Sequence, residues 1–258
     1  MIELDSCYSL SQVPYITYDA LEDYAERIIK DFSPALIKYP GVLDVEEFLE
    51  YYLKLTVIYR KICFNRNVLG ITAFNDGLID VIDNVTELPE ELYVTSGTVI
   101  IDPSLTLKKN EARGRFTMVH EGGGHWLLHR KAFATDNPFG VAGIYKNQYL
   151  AAKEGRGDYT RSTQERNDIE RMERQADFLA ASILMPRPAL RIAFREYFRY
   201  YNEKPRRIVR GKSEMDDLFA EQLPEYIAKT FSVSKKAALI RMEKLTAIVS
   251  NRNWGYAF

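Results

Sequence analysis

Arg115–His129 reads RFTMVHEGGGHWLLH and contains all three histidines of a 258-residue chain, His120, His125 and His129. Its apolar and long side chains predict a helix in spite of Gly122, Gly123 and Gly124. A metal-binding helix of the HExxH type sets two histidines four residues apart on one face, with the glutamate as general base. Here His120-Glu121 is followed by His125, five residues after the first histidine. At 3.6 residues per turn, four positions rotate a side chain by roughly 40° and five by roughly 140°. A regular α-helix therefore turns His120 and His125 to different sides. Both can face one ion if the helix carries an extra residue as a π-bulge or is locally unwound, a distortion that glycine tolerates. Each glycine costs about 0.8–1.0 kcal/mol relative to alanine in a helix, and a structural zinc ion, binding with order 10 kcal/mol, offsets that. Two other arrangements stay open. His125 and His129, in HWLLH, have the i, i+4 spacing, although no acidic residue directly follows His125. A Gly-rich loop can also carry three surface histidines with no metal.

Further along, TQERNDIERMERQADFLAASILM (Thr163–Met185) predicts a strong helix stopped by Pro186 and Pro188. Glu173 and Asp177 are i, i+4 on it and face the same way. Glu173 can supply the carboxylate of a His₂Glu zinc site. Asp177 can accept the second ring N–H of a ligand histidine, fixing its tautomer. On its own ExxxD describes a solvated acidic face, and Glu165, Asp168 and Glu170 lie close by.

Outside these stretches, Thr17–Phe32 has helical apolar spacing with Thr17 or Asp19 as cap, and Asp44 can cap a second helix, VEEFLEYYLKL, after the Pro40-Gly41 break. From Thr56 to Asp102, short β-branched and aromatic runs (TVIYRKI, LGITAF, LIDVI, LYVTS, TVIID) separated by Asn, Asp and Gly predict a small, mostly antiparallel sheet. Ala134–Thr163 reads as a long irregular loop and Tyr197–Lys212 as a basic aromatic connector. Two helices near Glu214–Phe231 and Ser234–Leu245, the latter capped by Ser232 or Ser234, precede a strand-like AIVS. The expectation is one α+β domain over 1–258: helices at 17–55, the sheet at 56–102, the histidine-bearing helices at 110–186 and a helical segment at 187–258.

Composition excludes several classes. Hydrophobic residues are 46% and charged residues 28%, which argues against disorder, and a net charge of −1 gives no global attraction to nucleic acid. Two cysteines, Cys7 and Cys63, make no disulfide framework and read as inert thiols. No apolar run reaches the ~20 residues of a membrane helix, and the N-terminus lacks the pattern of a signal peptide, so the expectation is a cytoplasmic protein without membrane contact. The basic stretch Arg195–Lys212 has aromatics between its charges. It reads as a solvated face, as a dock for an acidic protein, or as a nucleic-acid contact by stacking and phosphate pairing.

The blocks RFTMVHEGGGHWLLH and ERQADFLAASILMP (Glu173–Pro186) resemble the ImmA/IrrE-type zinc metallopeptidases, which show RFT-x-x-HE-x-x-H-x-x-L-H and a later E-x-x-A-[ND]-x-x-A-x-x-L-L-M-P. Asp44–Phe74 and Ala228–Leu245 extend the likeness over about residues 40 to 250. The resemblance implies a gluzincin-like site with one zinc ion per chain on His120, His125 and Glu173, and Glu121 as the catalytic residue. The family's HExxH is HExxxH here, a spacing similar to that of the zinc site of dipeptidyl peptidase III. His129 reads as an alternate ligand or substrate contact, or as a histidine packed beside the site. Tyr145, Tyr149, Tyr159 or an arginine of the long loop are candidates for an oxyanion donor, and no spacing argument selects one. The implied activity is intracellular cleavage of a specific regulatory protein, a transcriptional repressor in the family's manner. A zinc-binding sensor with little turnover, binding a protein or DNA, is the alternative, and a non-peptidase metal hydrolase a third.

Overall fold

The computed structural model describes residues 13–65, 67–134, 163–203, 205 and 207–250. Residues 135–162 of the long loop expected at 134–163, with Tyr145, Tyr149 and Tyr159, lie outside the described residues, as do Cys7, Lys204 and Arg206. The fold is α+β, as the alternation of periodicities predicts. Among the described residues the chain divides into two compact units, Met1–Tyr24 with Asp44–Ala180, and Ala25–Leu43 with Ala181–Phe258.

Helix α1 (Tyr18–Phe32) starts where Thr17 Oγ1 accepts the Ala20 N–H at 3.2 Å. Asp44 Oδ1 accepts the Glu47 N–H at 2.9 Å and starts a second helical segment, which widens into a π-helical turn over Glu47–Tyr52. Phe48 and Leu49 are buried from it.

Strands β1 (Thr56–Tyr59), β2 (Gly70–Thr72), β3 (Gly77–Ile82), β4 (Pro89–Val94) and β5 (Thr98–Ile101) fall on the five runs read from the sequence. β3 and β4 form an antiparallel hairpin, Gly77 opposite Val94 and Ile82 opposite Pro89. The other three make a sheet of order β1-β5-β2, antiparallel between β2 and β5 and parallel between β1 and β5. The parallel pair has a physical origin. All four residues of β5 are buried, so its apolar run takes the centre, and the long excursion through β2 and the hairpin supplies the crossover that parallel pairing needs. Ile62, Val68, Ile71, Ala73, Ile79, Val81, Val94 and Ile100 form the core here. Cys63 packs against that core, with its Sγ accepting the Val68 N–H at 3.4 Å.

After a 3₁₀ turn at Pro103–Thr106, capped by Asp102, the chain runs as one helix from 111 to 133. It comprises α3 (Glu111–Met118), a π-helical turn (Val119–His125) and α4 (Trp126–Phe133). The extra residue that HExxxH demands is thus taken up as π-helix. Helix α5 (Thr163–Leu184) buries a stripe of Met172, Gln175, Ala176, Leu179, Ala180 and Ile183.

In the second unit, α2 (Ala35–Lys38) packs on α6 (Arg187–Tyr200). Helix α7 (Glu214–Phe231), capped by Ser213, ends on left-handed Ser232. Ser234 caps α8 (Lys235–Lys244) by accepting the Ala237 N–H at 3.0 Å. Buried Arg241 donates to the Met185 carbonyl at the end of α5. The Tyr197–Lys212 connector is corrected: α6 continues to Tyr200, and β6 (Ile208–Arg210) pairs in parallel with β7 (Ile248–Ser250). Of the aromatics between the basic residues, Tyr197 and Phe198 are buried and serve packing whereas Tyr200 and Tyr201 are exposed, and Arg210 lies 3.8 Å from Glu243. Among the described residues no helix is long and apolar enough to cross a membrane.

Candidate metal centre

The π-helical turn brings His120 and His125 to one side, with their Nε2 atoms 3.1 Å apart. Glu173 comes from α5, its Oε2 3.5 Å from His120 Nε2 and its Oε1 3.5 Å from His125 Nε2. The ligand atoms of these three residues all lie within 4.8 Å of one another, and both imidazoles are buried. Behind the cluster, His120 Nδ1 is 2.9 Å from Asp177 Oδ1. Zinc bonds of about 2.0–2.1 Å to nitrogen and oxygen set neighbouring ligand atoms of a tetrahedron roughly 3.3 Å apart. The observed separations of 3.1 and 3.5 Å fit such an ion, and the donor types suit it.

The glycines have a packing role beyond helix distortion. A Cβ on Gly124 would stand 2.8 Å from the Ala176 Cα, and one on Gly122 would stand 2.4 Å from Leu49 Cδ2. Bare backbone at Gly124 lets the turn close onto α5, which carries Glu173. Gly122 receives Leu49 from the first π-helical turn.

Glu121 is 1% exposed and sits over strand β2. Thr72 Oγ1 donates to Glu121 Oε2 at 2.8 Å, with the Glu121 carbonyl at 3.1 Å. Gly70, two residues earlier on the same face of the strand, leaves the space the carboxylate fills, since a Cβ there would be 2.7 Å from Glu121 Cγ. His129 stands outside the three-residue cluster: its Nδ1 is 3.1 Å from His125 Nδ1, and its Nε2 is 3.0 Å from Gln175 Oε1. Gln175 Nε2 donates to the Pro14 carbonyl at 2.8 Å. Burial first, then the neighbouring His125, pushes the His129 imidazole down to about 3.

A family model described as the IrrE N-terminal-like domain, Peptidase_M78, matches residues 90–243, more than half of the chain. The chain belongs to this family. None of the curated proteins compared with it matches. The IrrE N-terminal-like domain here is thus a metallopeptidase-type domain, with a His/His/Glu cluster suited to a metal and a protein as the substrate class its family implies. The matched stretch contains His120, Glu121, His125, His129, Glu173, Gln175 and Asp177, whereas Gly70 and Thr72 precede it. Sequence reasoning had missed Gly70, Thr72 and Gln175. For Gln175 a signal existed, because it falls in register with Met172, Ala176 and Leu179 and so puts a polar group on an apolar stripe. For Thr72 none did, since nothing in spacing links residue 72 to residue 121.

Proposed function

We propose that this IrrE-type domain is an intracellular zinc endopeptidase that cleaves a specific regulatory protein of the transcriptional-repressor kind. The observation that carries the reading is the convergence of His120 Nε2, His125 Nε2 and the Glu173 carboxylate, with Glu121 next to His120 in the chain. His120, His125 and Glu173 would hold one zinc ion per chain. When bound, zinc supplies Lewis acidity, lowering the pKa of water towards about 7 and polarising the scissile carbonyl.

The chain's own residues do the rest. Glu121 accepts the proton of the attacking water and delivers it to the leaving amine. The Thr72 hydroxyl holds one carboxylate oxygen of Glu121 and so limits the rotamers the base can adopt. Asp177 accepts from His120 Nδ1 and keeps the Nε2 lone pair directed at the cluster. Strand β2 is the edge of its three-stranded sheet, and an extended segment of substrate can add to it as a further strand.

The test is Glu121→Gln. Its zinc content should equal that of the wild type while cleavage is lost. New protein N-termini, compared between cells carrying each form, identify the substrate. Cleavage that survives in Glu121→Gln rejects the mechanism. A zinc-loaded wild type that creates no new N-terminus favours a sensor over a peptidase.

A further inference from the structure

We propose that His129, Gln175 and the Pro14 carbonyl form a one-way hydrogen-bond relay that fixes His125 in the Nδ1–H tautomer and turns its Nε2 lone pair toward the ligand cluster. The proposal rests on the metal reading above and makes His129 and Gln175 positioning residues, neither of them a ligand.

The direction of the relay follows from one group. A backbone carbonyl can only accept, so the Gln175 amide must turn its NH₂ to Pro14 O, 2.8 Å away, and its Oε1 to His129. Oε1 is also only an acceptor. His129 Nε2, 3.0 Å from it, therefore carries a hydrogen and donates. The Nδ1 atoms of His129 and His125 are 3.1 Å apart, so one ring donates to the other, and a His125 that ligates through Nε2 carries its ring hydrogen on Nδ1, which leaves His129 to accept. Its Nδ1 is then a bare acceptor. His125 Nδ1, 3.1 Å away, is the donor, and His125 Nε2 is left with its lone pair toward His120 Nε2 and Glu173.

The two ligand histidines are thus backed by unlike groups. His120 leans on the carboxylate of Asp177, whose side chain is 60% exposed. His125 leans on a buried imidazole and amide, which orient it without adding a further carboxylate to those of Glu173 and Asp177. The relay also spans the chain, since Gln175 and Pro14 are 161 residues apart in sequence. Arg171 lies over the Tyr15 ring, 4.0 Å from its centroid, and donates to the Val13 carbonyl, which holds the segment that bears Pro14.

With three histidines in the chain, imidazole ¹⁵N spectra are simple to assign. Long-range ¹H–¹⁵N spectra of chelator-stripped wild type should show His125 as the Nδ1–H tautomer and His129 as the Nε2–H tautomer. Zinc titration of the wild type, His129→Leu, Gln175→Leu and His129→Asn completes the test. The two leucine variants should bind zinc about 10–100-fold more weakly, the usual effect of removing an outer partner of a ligand histidine. His129→Asn, which puts an amide oxygen where Nδ1 stood, should recover most of the loss. Because the wild-type spectrum is itself decisive, the relay stays testable even where a variant misfolds. His125 found as Nε2–H, undiminished affinity in a folded His129→Leu, or a ligation shift at a His129 nitrogen on zinc addition overturns the relay. A wild type that binds no zinc overturns the metal reading instead, while its apo tautomers still decide the relay.

Discussion

A methyl group at Gly124 would press on backbone, the Cα of Ala176 at 2.8 Å, whereas one at Gly122 would press on the end of a leucine side chain. Leu49 can rotate away and a helix backbone cannot. Gly124→Ala should therefore cost about 1–3 kcal/mol, the range of overpacked cores, and Gly122→Ala less. Urea unfolding of both variants checks the order, and Gly124→Ala should also weaken metal binding by moving α5, the helix of Glu173. At the base, Thr72→Val removes the hydroxyl that donates to Glu121 Oε2. Zinc content should be unchanged and the cleavage rate should fall about tenfold, the equivalent of ~1.4 kcal/mol. An unchanged rate shows that Glu121 is positioned without Thr72. The identities of His120, Glu121 and His125 on one helix, and of Glu173 and Asp177 on another, were legible as candidates because close spacing along a helix is a local property. Thr72 was not, since its partner lies 49 residues away in sequence.

The π-helical turn at Val119–His125 is where local pattern and site geometry conflict, and geometry prevails. An inserted residue in a helix leaves the flanking turns in register when the helix widens locally. Deleting Gly123 should accordingly convert the turn to α-helix with HExxH spacing and leave α3, α4 and α5 in place. That variant should bind metal, and losing one helical glycine should stabilise it by up to about 1 kcal/mol. Metal analysis with thermal unfolding tests this; an unfolded or metal-free deletion variant means that the widened turn itself shapes the site. Strand positions were legible from their β-branched runs, and caps such as Thr17, Asp44 and Ser234 from short polar side chains ahead of apolar periodicity. The parallel β1–β5 pair was not, because pairing partners are chosen by burial of β5 and not by the strands' own residues.

Across the first unit, a metal ion would tie the 119–125 turn to α5, two elements that the chain brings together from far apart in sequence. Binding to the folded state alone stabilises by about 2.7 kcal/mol at a hundredfold excess over the dissociation constant. Zinc should raise the thermal midpoint and a chelator should lower it. His120→Ala, His125→Ala and Glu173→Ala should each abolish the difference while His129→Asn keeps it; a chelator without effect on the wild type would remove the ion from the account of stability. The sequence by itself determined the element types, the α+β class and which side chains could hold a metal, because propensity, capping and helical spacing act over a few residues. Only the tertiary structure decided that five-residue spacing could converge, that Thr72 meets Glu121 and that His129 backs His125 through Gln175 and Pro14. Those contacts depend on how closely backbones approach at Gly70, Gly122 and Gly124, and packing sets that distance.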